Sequence, residues 1–115
     1  MATEQEFWAS RLNSRITFLK NVRVRQPNGS FLDDWQEYKT TFAEVVTIGG
    51  EEGRLAAAQS SEVRYRIRIR FRPDIDESMK IRTDDGRVIA VNAIRDPDGR
   101  RTALEIHATW KQGGA

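Results

Sequence analysis

The sequence contains no cysteine and only one histidine, His107, among its 115 residues. Without cysteine the chain forms neither a disulfide nor a thiolate nucleophile, and it lacks the soft ligands of common zinc sites. It also lacks a signal-peptide core and any apolar run of membrane-spanning length. These absences predict a soluble protein of a cytosol-like compartment with no cofactor, no bound metal and no membrane partner.

A strong excess of one charge is missing as well. The chain has 19 basic and 17 acidic residues, so its net charge of +2 does not mark a nucleic-acid binder. The imbalance is local, because residues 1–61 hold seven basic and eight acidic residues whereas residues 62–115 hold twelve and nine. With 38% hydrophobic residues, the chain fits one domain with a modest core.

The stretch from Val63 to Arg72 alternates an apolar residue with an arginine at every step. This period of two predicts a β-strand that turns its apolar residues to a core and its arginines to the other face. Three interpretations of the arginine face stay open: a hydrated or cross-strand-paired surface, a subunit interface, or a nucleic-acid contact. A single-strand binder needs exposed aromatics among its basic groups, but Tyr65 and Phe71 alternate to the opposite face.

Six short strands separated by turns predict an all-β fold, a small antiparallel β-barrel or sandwich. Leu19 falls out of the alternation in the first strand and indicates an edge or a bulge. A long loop at 47–62, with a short helical insertion near 54–59, separates the second and third strands. The predicted strands cover 15–25, 41–46, 63–72, 79–82, 88–94 and 104–110. We expect an N-terminal arm at 1–14, one barrel domain at 15–112 and a tail at 113–115.

No catalytic residue and no metal site are predicted, so the chain is not expected to be an enzyme. His107 alternates with Glu105 and Thr109 on the polar side of the last strand, which is typical of a surface histidine. The paired aspartates lie in turns without the spacing of a cation loop. The segment Gly49–Gly53 lacks the lysine and hydroxyl of a phosphate loop, and its two glutamates would repel phosphate.

The order of these pieces resembles the phage head-tail joining family, whose members are small stopper or adaptor proteins, also called head completion proteins. The resemblance spans most of the chain and lies in the succession of short motifs rather than in any one of them. The motifs are Arg11-Leu12, Arg15-Ile16-Thr17, Gln26-Pro27-Asn28-Gly29 followed by Trp35, Ala43-Glu44-Val45, the acidic and alanine-rich residues Glu51 to Ala58, Ile67 to Ile75, Met79-Lys80-Ile81, Gly86-Arg87, Ile94, Gly99-Arg100-Arg101 and Leu104-Glu105-Ile106.

The resemblance implies a non-enzymatic barrel that assembles as a homo-oligomeric ring of six or twelve copies in the virion neck. Such a ring lies below the portal-bound adaptor ring, closes the DNA-filled head and docks the tail completion or tail tube proteins. Assembly would take place in the host cytoplasm, and contact with packaged DNA would be non-specific. In some family members the long loop enters the central channel, so the residues expected nearest the channel are Gly49, Gly50, Glu51, Glu52 and Gly53.

Subunit contacts are predicted for the arginine face and for two aromatic residues near the N-terminus. The residues are Arg64, Arg66, Arg68, Arg70, Phe7 and Trp8. The alternative function is a small nucleic-acid-binding β-barrel that uses the basic face of Arg64–Arg72.

Overall fold

Eight β-strands and no helix are found in the part of the chain that the computed structural model describes, residues 11–48 and 62–111. The all-β prediction is therefore confirmed. The strands are β1 (Ser14–Asn21), β2 (Val24–Arg25), β3 (Phe31–Leu32), β4 (Trp35–Thr47), β5 (Glu62–Arg70), β6 (Lys80–Arg82), β7 (Val88–Arg95) and β8 (Ala103–Lys111).

Six of these strands close into an antiparallel barrel in the order β1-β4-β5-β8-β7-β6, with β6 pairing back onto β1. Closure leaves no open strand edge along the barrel wall, which removes the usual route to edge-to-edge aggregation. The two remaining strands, β2 and β3, pair only with each other and form a separate hairpin. The predicted small antiparallel barrel of six strands is thus the observed architecture.

The alternating strand β5 supplies the middle of the core. Tyr65, Ile67 and Ile69 are buried, while the arginines between them face outward. Burying a side chain of this size contributes about 1.5–3 kcal/mol relative to leaving it in water. The other core residues come from every remaining barrel strand and from the segment before β6: Ile16, Phe18, Ala43, Ile75, Met79, Ile81, Ile89, Val91, Leu104, Ile106 and Ala108.

A β-bulge lies between Phe18 and Leu19, where the register between β1 and β4 shifts. The bulge explains why these two consecutive residues are both buried, at 0% and 5% exposure, although strict alternation allows only one of them to face inward. The prediction made from the broken alternation at Leu19 is therefore confirmed.

Two predicted strand boundaries are wrong. The first strand was expected to run to Arg25 but ends at Asn21, and the chain resumes strand geometry only in the hairpin at Val24. The second was expected at 41–46 but begins at Trp35. Its first half carries mostly exposed polar residues, so the apolar pattern that marks a strand is absent there, and pairing with β1 decides the structure instead.

The β2–β3 hairpin and the connection from β4 to β5 leave the barrel at opposite ends. At one end, which we call the loop end, β4 finishes at Thr47, β5 begins at Glu62, and the β6–β7 turn at 83–87 lies nearby. At the other, the hairpin end, β2 and β3 extend the ribbon that β1 and β4 begin at the pair Asn21 and Trp35. The β2–β3 hairpin and the connection from β4 to β5 are therefore separated by the length of the barrel.

Positive backbone φ angles close two of the predicted turns. Gly29 has φ 88° at the hairpin tip and Gly86 has φ 89° between β6 and β7. Such angles are costly for residues with a Cβ, so glycine is the residue that these turns require. The predicted helical insertion near 54–59 and most of the long loop lie outside the described residues, and the division into arm, domain and tail stays a prediction.

A charged cluster ties the segment after β5 to β4 at the hairpin end. The Arg72 guanidinium donates two hydrogen bonds of 3.1 Å to the Asp74 carboxylate, and the Tyr38 hydroxyl donates a third of 2.8 Å. The hydrogen bonds from Arg72 and then Tyr38 hold the pKa of Asp74 well below its ordinary value. The cluster therefore joins two segments that are 36 residues apart in sequence.

We expect Asp74→Asn to lower the free energy of unfolding by about 1 kcal/mol at pH 7, because the partly exposed pair loses its charge-assisted bonds. A carboxylate whose pKa is lowered in the folded state stabilises the protein above its unfolded pKa, 3.8, and loses that contribution as the pH falls below it. Urea unfolding at pH 7 and at pH 2.5 checks this. A difference between wild type and variant that is the same at both pH values would contradict the assignment.

Candidate functional site

The outward face of β5 is the most distinctive surface of the barrel. We call its residues Arg64, Arg66, Arg68 and Arg70 the arginine wall. β5 lies between β4 and β8, which pair with it on either side. Glu44 and Glu105 lie opposite Arg68 in the two neighbouring strands, and both therefore face outward beside the wall.

Glu105 is the centre of the wall's charge pairing. Its carboxylate lies 3.4 Å from Arg68 Nη2, 4.0 Å from Arg66 Nε and 3.5 Å from His107 Nε2. Burial alone would raise the pKa of Glu105, but the contacts with His107 and Arg68 outweigh burial and lower that pKa. The cross-strand-paired interpretation thus holds for the middle of the wall.

The pairing is incomplete. Arg66 Nε and Arg68 Nε are buried and, within residues 11–48 and 62–111, donate no hydrogen bond. Arg64 and Arg70 are exposed, and no ion pair joins either to another described residue. Arg11 reaches Glu44 at 3.7 Å, so three guanidinium groups, those of Arg11, Arg66 and Arg68, contact the two carboxylates of Glu44 and Glu105. The donors that remain exposed to solvent on the wall are therefore those of Arg64 and Arg70.

Replacing Glu105 by glutamine should lower the free energy of unfolding by about 1–2 kcal/mol. The change leaves Arg66 and Arg68 close together without a countercharge. The expected loss is smaller than for a fully buried ion pair, because both guanidinium groups are partly exposed. Urea denaturation measures the loss. Glu62→Gln is the matched control, because the Glu62 pair with Lys111 lies at the exposed rim and its removal should cost at most about 0.5 kcal/mol. Equal losses in the two variants would contradict the central role of Glu105.

The other predicted site residues are not placed by the structure. Phe7, Trp8 and the predicted channel residues Gly49, Gly50, Glu51, Glu52 and Gly53 all lie outside the described residues. Within the described ranges no group of three or more histidine, aspartate or glutamate side chains could hold a metal ion. In the same ranges no helix is long and apolar enough to cross a bilayer.

Sequence reasoning missed one surface, the β2–β3 hairpin. Val24 pairs with Leu32 and Arg25 pairs with Phe31, so the hairpin has an apolar face and a basic, aromatic face. Val24 and Leu32 are 43% and 58% exposed, whereas residues of this type in a barrel strand face the core. The signal was present in the Asn28-Gly29 turn, because a tight turn so close to the Val24–Leu32 pair leaves too few residues for this pair to reach the core.

Comparison with known proteins identifies the fold's relatives. The family model described as phage head completion protein matches residues 8–111, which include the whole barrel and the hairpin. The chain belongs to this family. It is therefore a structural protein of the phage virion, and its family is one of structural proteins rather than of enzymes.

Individual relatives agree with this assignment. The head completion protein gp7 of Enterobacteria phage HK97 is 25% identical over 105 residues, which cover 90% of this chain and 94% of that protein. The solution structure of protein SF1141 from Shigella flexneri 2a has a TM-score of 0.71 and 29% identity, and covers 90% of this chain and 96% of that one. A chain in the virion of a native gene transfer agent particle shares the fold, with a TM-score of 0.63, 21% identity, and coverage of 85% and 93%.

Proposed function

We propose that the protein forms a homo-oligomeric ring in the head-tail connector, where it closes the DNA-filled head and docks the tail. The observation that carries the proposal is the match of the head completion family to residues 8–111 of a closed barrel with separate elements at its two ends. A ring between two other assemblies needs two distinct contact surfaces. The hairpin end and the loop end provide them.

The loop between β4 and β5 is proposed to face the central channel. The residues that precede the loop are held in the sheet, because Thr47 pairs with Tyr65 and the Ile48 amide donates a 2.9 Å hydrogen bond to the Arg64 carbonyl. The segment Gly49–Gly53 follows directly and carries two glutamates. Negative charge there would not grip DNA phosphates, so DNA could pass once the segment moves aside.

Contacts between copies are proposed for the exposed ends of the arginine wall, Arg64 and Arg70, together with Phe7 and Trp8. A ring of six or twelve copies uses one surface against a different one on the next copy, and such contacts repeat until the ring closes. Each contact can be weak, because an adaptor ring that presents many sites raises the effective concentration of the others. The assembled ring, not the monomer, is then the functional unit.

The test uses a phage in which the gene for this protein is disrupted. The protein or its variant is then supplied from a plasmid. Without the protein, we expect DNA-filled heads to lose DNA or to remain tailless in electron micrographs. Deletion of Gly49–Gly53 should give the same heads, whereas Glu51→Gln with Glu52→Gln keeps the segment's length and tests the contribution of its charge. Infectious tailed particles without any copy of the protein would overturn the connector function, and infectious particles from the deletion alone would overturn the channel role.

Replacing Arg64 and Arg70 with glutamine distinguishes the nucleic-acid alternative from the connector, since neither arginine forms an ion pair with another residue of 11–48 or 62–111. Binding of a DNA duplex is measured across salt concentrations, beside particle assembly. Steeply salt-dependent DNA binding that the variant abolishes, with normal assembly, would favour the alternative. Unchanged weak DNA binding with impaired assembly supports the connector.

A further inference from the structure

The β2–β3 hairpin continues the ribbon that β1 and β4 begin, but it has no third strand. β6 pairs with β1 only from Thr17 to Leu19, and within residues 11–48 and 62–111 β2 pairs with β3 alone. A two-stranded ribbon is marginally stable in water, and a third strand commonly stabilises it. The hairpin is therefore a short sheet whose two edges are unpaired in the described chain.

The hydrogen bonds of the hairpin show which backbone groups point to its edges. The Val22 amide donates to the Asp34 carbonyl, and the Gln26 amide donates across the turn, each at 2.7 Å. In an antiparallel ladder such hydrogen-bonded pairs alternate with pairs whose N–H and C=O groups point away from the partner strand. The N–H and C=O groups of Arg23 and Arg25 therefore point to the side away from β3. We call this side of residues 22–25 the docking edge.

The docking edge carries positive charge on one face and apolar side chains on the other. Arg23 and Arg25 alternate with Val22 and Val24, which are each 43% exposed. Residues 22–32 contain no acidic residue, and Arg25 forms no ion pair with the part of the chain that the structure describes. Neighbouring strands are stabilised by opposite charges and by apolar pairs at adjacent positions. The strand that fits this edge therefore alternates carboxylates with apolar side chains.

Two copies of the hairpin fit each other poorly. If the docking edges of two copies paired, arginines would lie beside arginines, and like charges at adjacent positions are destabilising. The outer edge of β3 offers one carboxylate, Asp33, which already accepts a 3.1 Å hydrogen bond from Asn21 and lies 3.6 Å from Arg23 of its own hairpin. Charge complementarity therefore favours a strand from a different protein over a second copy.

We propose that the docking edge takes up an extended acidic strand of another virion protein as the third strand of the ribbon. The added backbone pairs with the outward N–H and C=O groups of Arg23 and Arg25, as in other cases of strand addition to a sheet edge. Its carboxylates lie beside the two guanidinium groups, and its apolar side chains cover the two valines. The arginines that repel a second copy thereby select the partner. This inference names the chemistry of the partner at the hairpin end and rests on the connector function, which supplies a neighbouring protein there.

Photo-cross-linking in assembled particles identifies the occupant. The disrupted phage is supplied with protein that carries p-benzoylphenylalanine in place of Val24, and purified tailed particles are irradiated and analysed by mass spectrometry. We expect cross-links to a segment of another virion protein in which acidic and apolar residues alternate. Cross-links to a second copy of this chain, cross-links to a segment without carboxylates, or the absence of cross-links overturn the proposal. Tailed particles that lack the protein overturn the connector function instead, so the two failures are distinguishable.

A proline tests the backbone pairing. Arg25→Pro removes the outward N–H and places the proline ring on the docking edge, whereas the bonds between β2 and β3 are kept because they come from the alternate residues. We expect the phage titre to fall at least about 100-fold, against about 3- to 10-fold for Arg25→Gln, which removes only the charge. The urea midpoint of the isolated Arg25→Pro protein should be unchanged, which shows that the barrel is intact.

The matched control is Phe31→Pro, which makes the same backbone change on the outer edge of β3. Its titre should stay within about threefold of that of Phe31→Ala, because the docking edge is untouched. A wild-type titre for Arg25→Pro, or an equal loss in Phe31→Pro, overturns the assignment of the docking edge.

Charge exchange tests the acidic character of the partner. Arg25→Glu should lower the titre at least as much as Arg25→Gln, because it places a carboxylate beside the carboxylates of the added strand. Lysine in place of the partner's cross-linked acidic residue should restore most of the titre of the Arg25→Glu phage. A lysine change that restores nothing overturns the proposal.

Discussion

Replacing Phe18 by alanine is expected to lower the free energy of unfolding by about 3–5 kcal/mol. Phe18 is fully buried at the bulge of β1, and its ring packs in the one core that the barrel encloses. The smaller side chain leaves a cavity that the neighbouring strands cannot fill, because the pairing of β1 with both β4 and β6 holds them in place. Since domains of this size are stable by about 5–15 kcal/mol, urea denaturation should show a large shift of the midpoint.

Phe31→Ala is the matched control, because it makes the same chemical change on the hairpin. Phe31 is 56% exposed, and the Arg23 guanidinium lies 5.6 Å from its ring centre. Its loss should change the free energy of unfolding by about 0.5 kcal/mol or less. If Phe31→Ala destabilised the isolated protein as much as Phe18→Ala, the hairpin would be packed on the barrel rather than projecting from it.

Ile67→Lys should leave the protein largely unfolded at 25 °C. Ile67 is fully buried in the middle of β5, and a lysine there places an ammonium group in the core with no carboxylate to pair it. Burying an unpaired charge costs more than about 4 kcal/mol, which consumes most of the stability of a small domain. Far-ultraviolet circular dichroism and amide NMR dispersion would report the loss of structure.

Arg64→Lys introduces the same residue three positions earlier on the exposed side of the strand. The side chain keeps its charge and its exposure to solvent, so we expect the free energy of unfolding to change by about 0.5 kcal/mol or less. The two variants together test which face of β5 is inward. A folded Ile67→Lys protein, or an unfolded Arg64→Lys protein, would contradict the register of β5 against β8.

The arginine wall shows how far sequence reasoning reaches into a candidate site. The alternation from Val63 to Arg72 predicts which face carries the arginines, and that face is observed at Arg64, Arg66 and Arg68. It cannot predict that Glu105 and Glu44 lie opposite the same arginine, because those residues are 37 and 24 positions away and meet only through strand pairing. The sequence predicts that both glutamates face outward, but it does not predict which residue of β5 they lie opposite.

The sequence by itself determined the period-two strands, the glycine-requiring turns and the break in alternation at Leu19, because alternation and positive φ angles depend on residues close in the chain. The order of motifs also indicated the family that the match to residues 8–111 shows. Only the tertiary structure decided the closed strand order, the early start of β4 at Trp35 and the projection of the hairpin. Those features depend on which distant segments pair, and pairing is settled by the packing of the whole core.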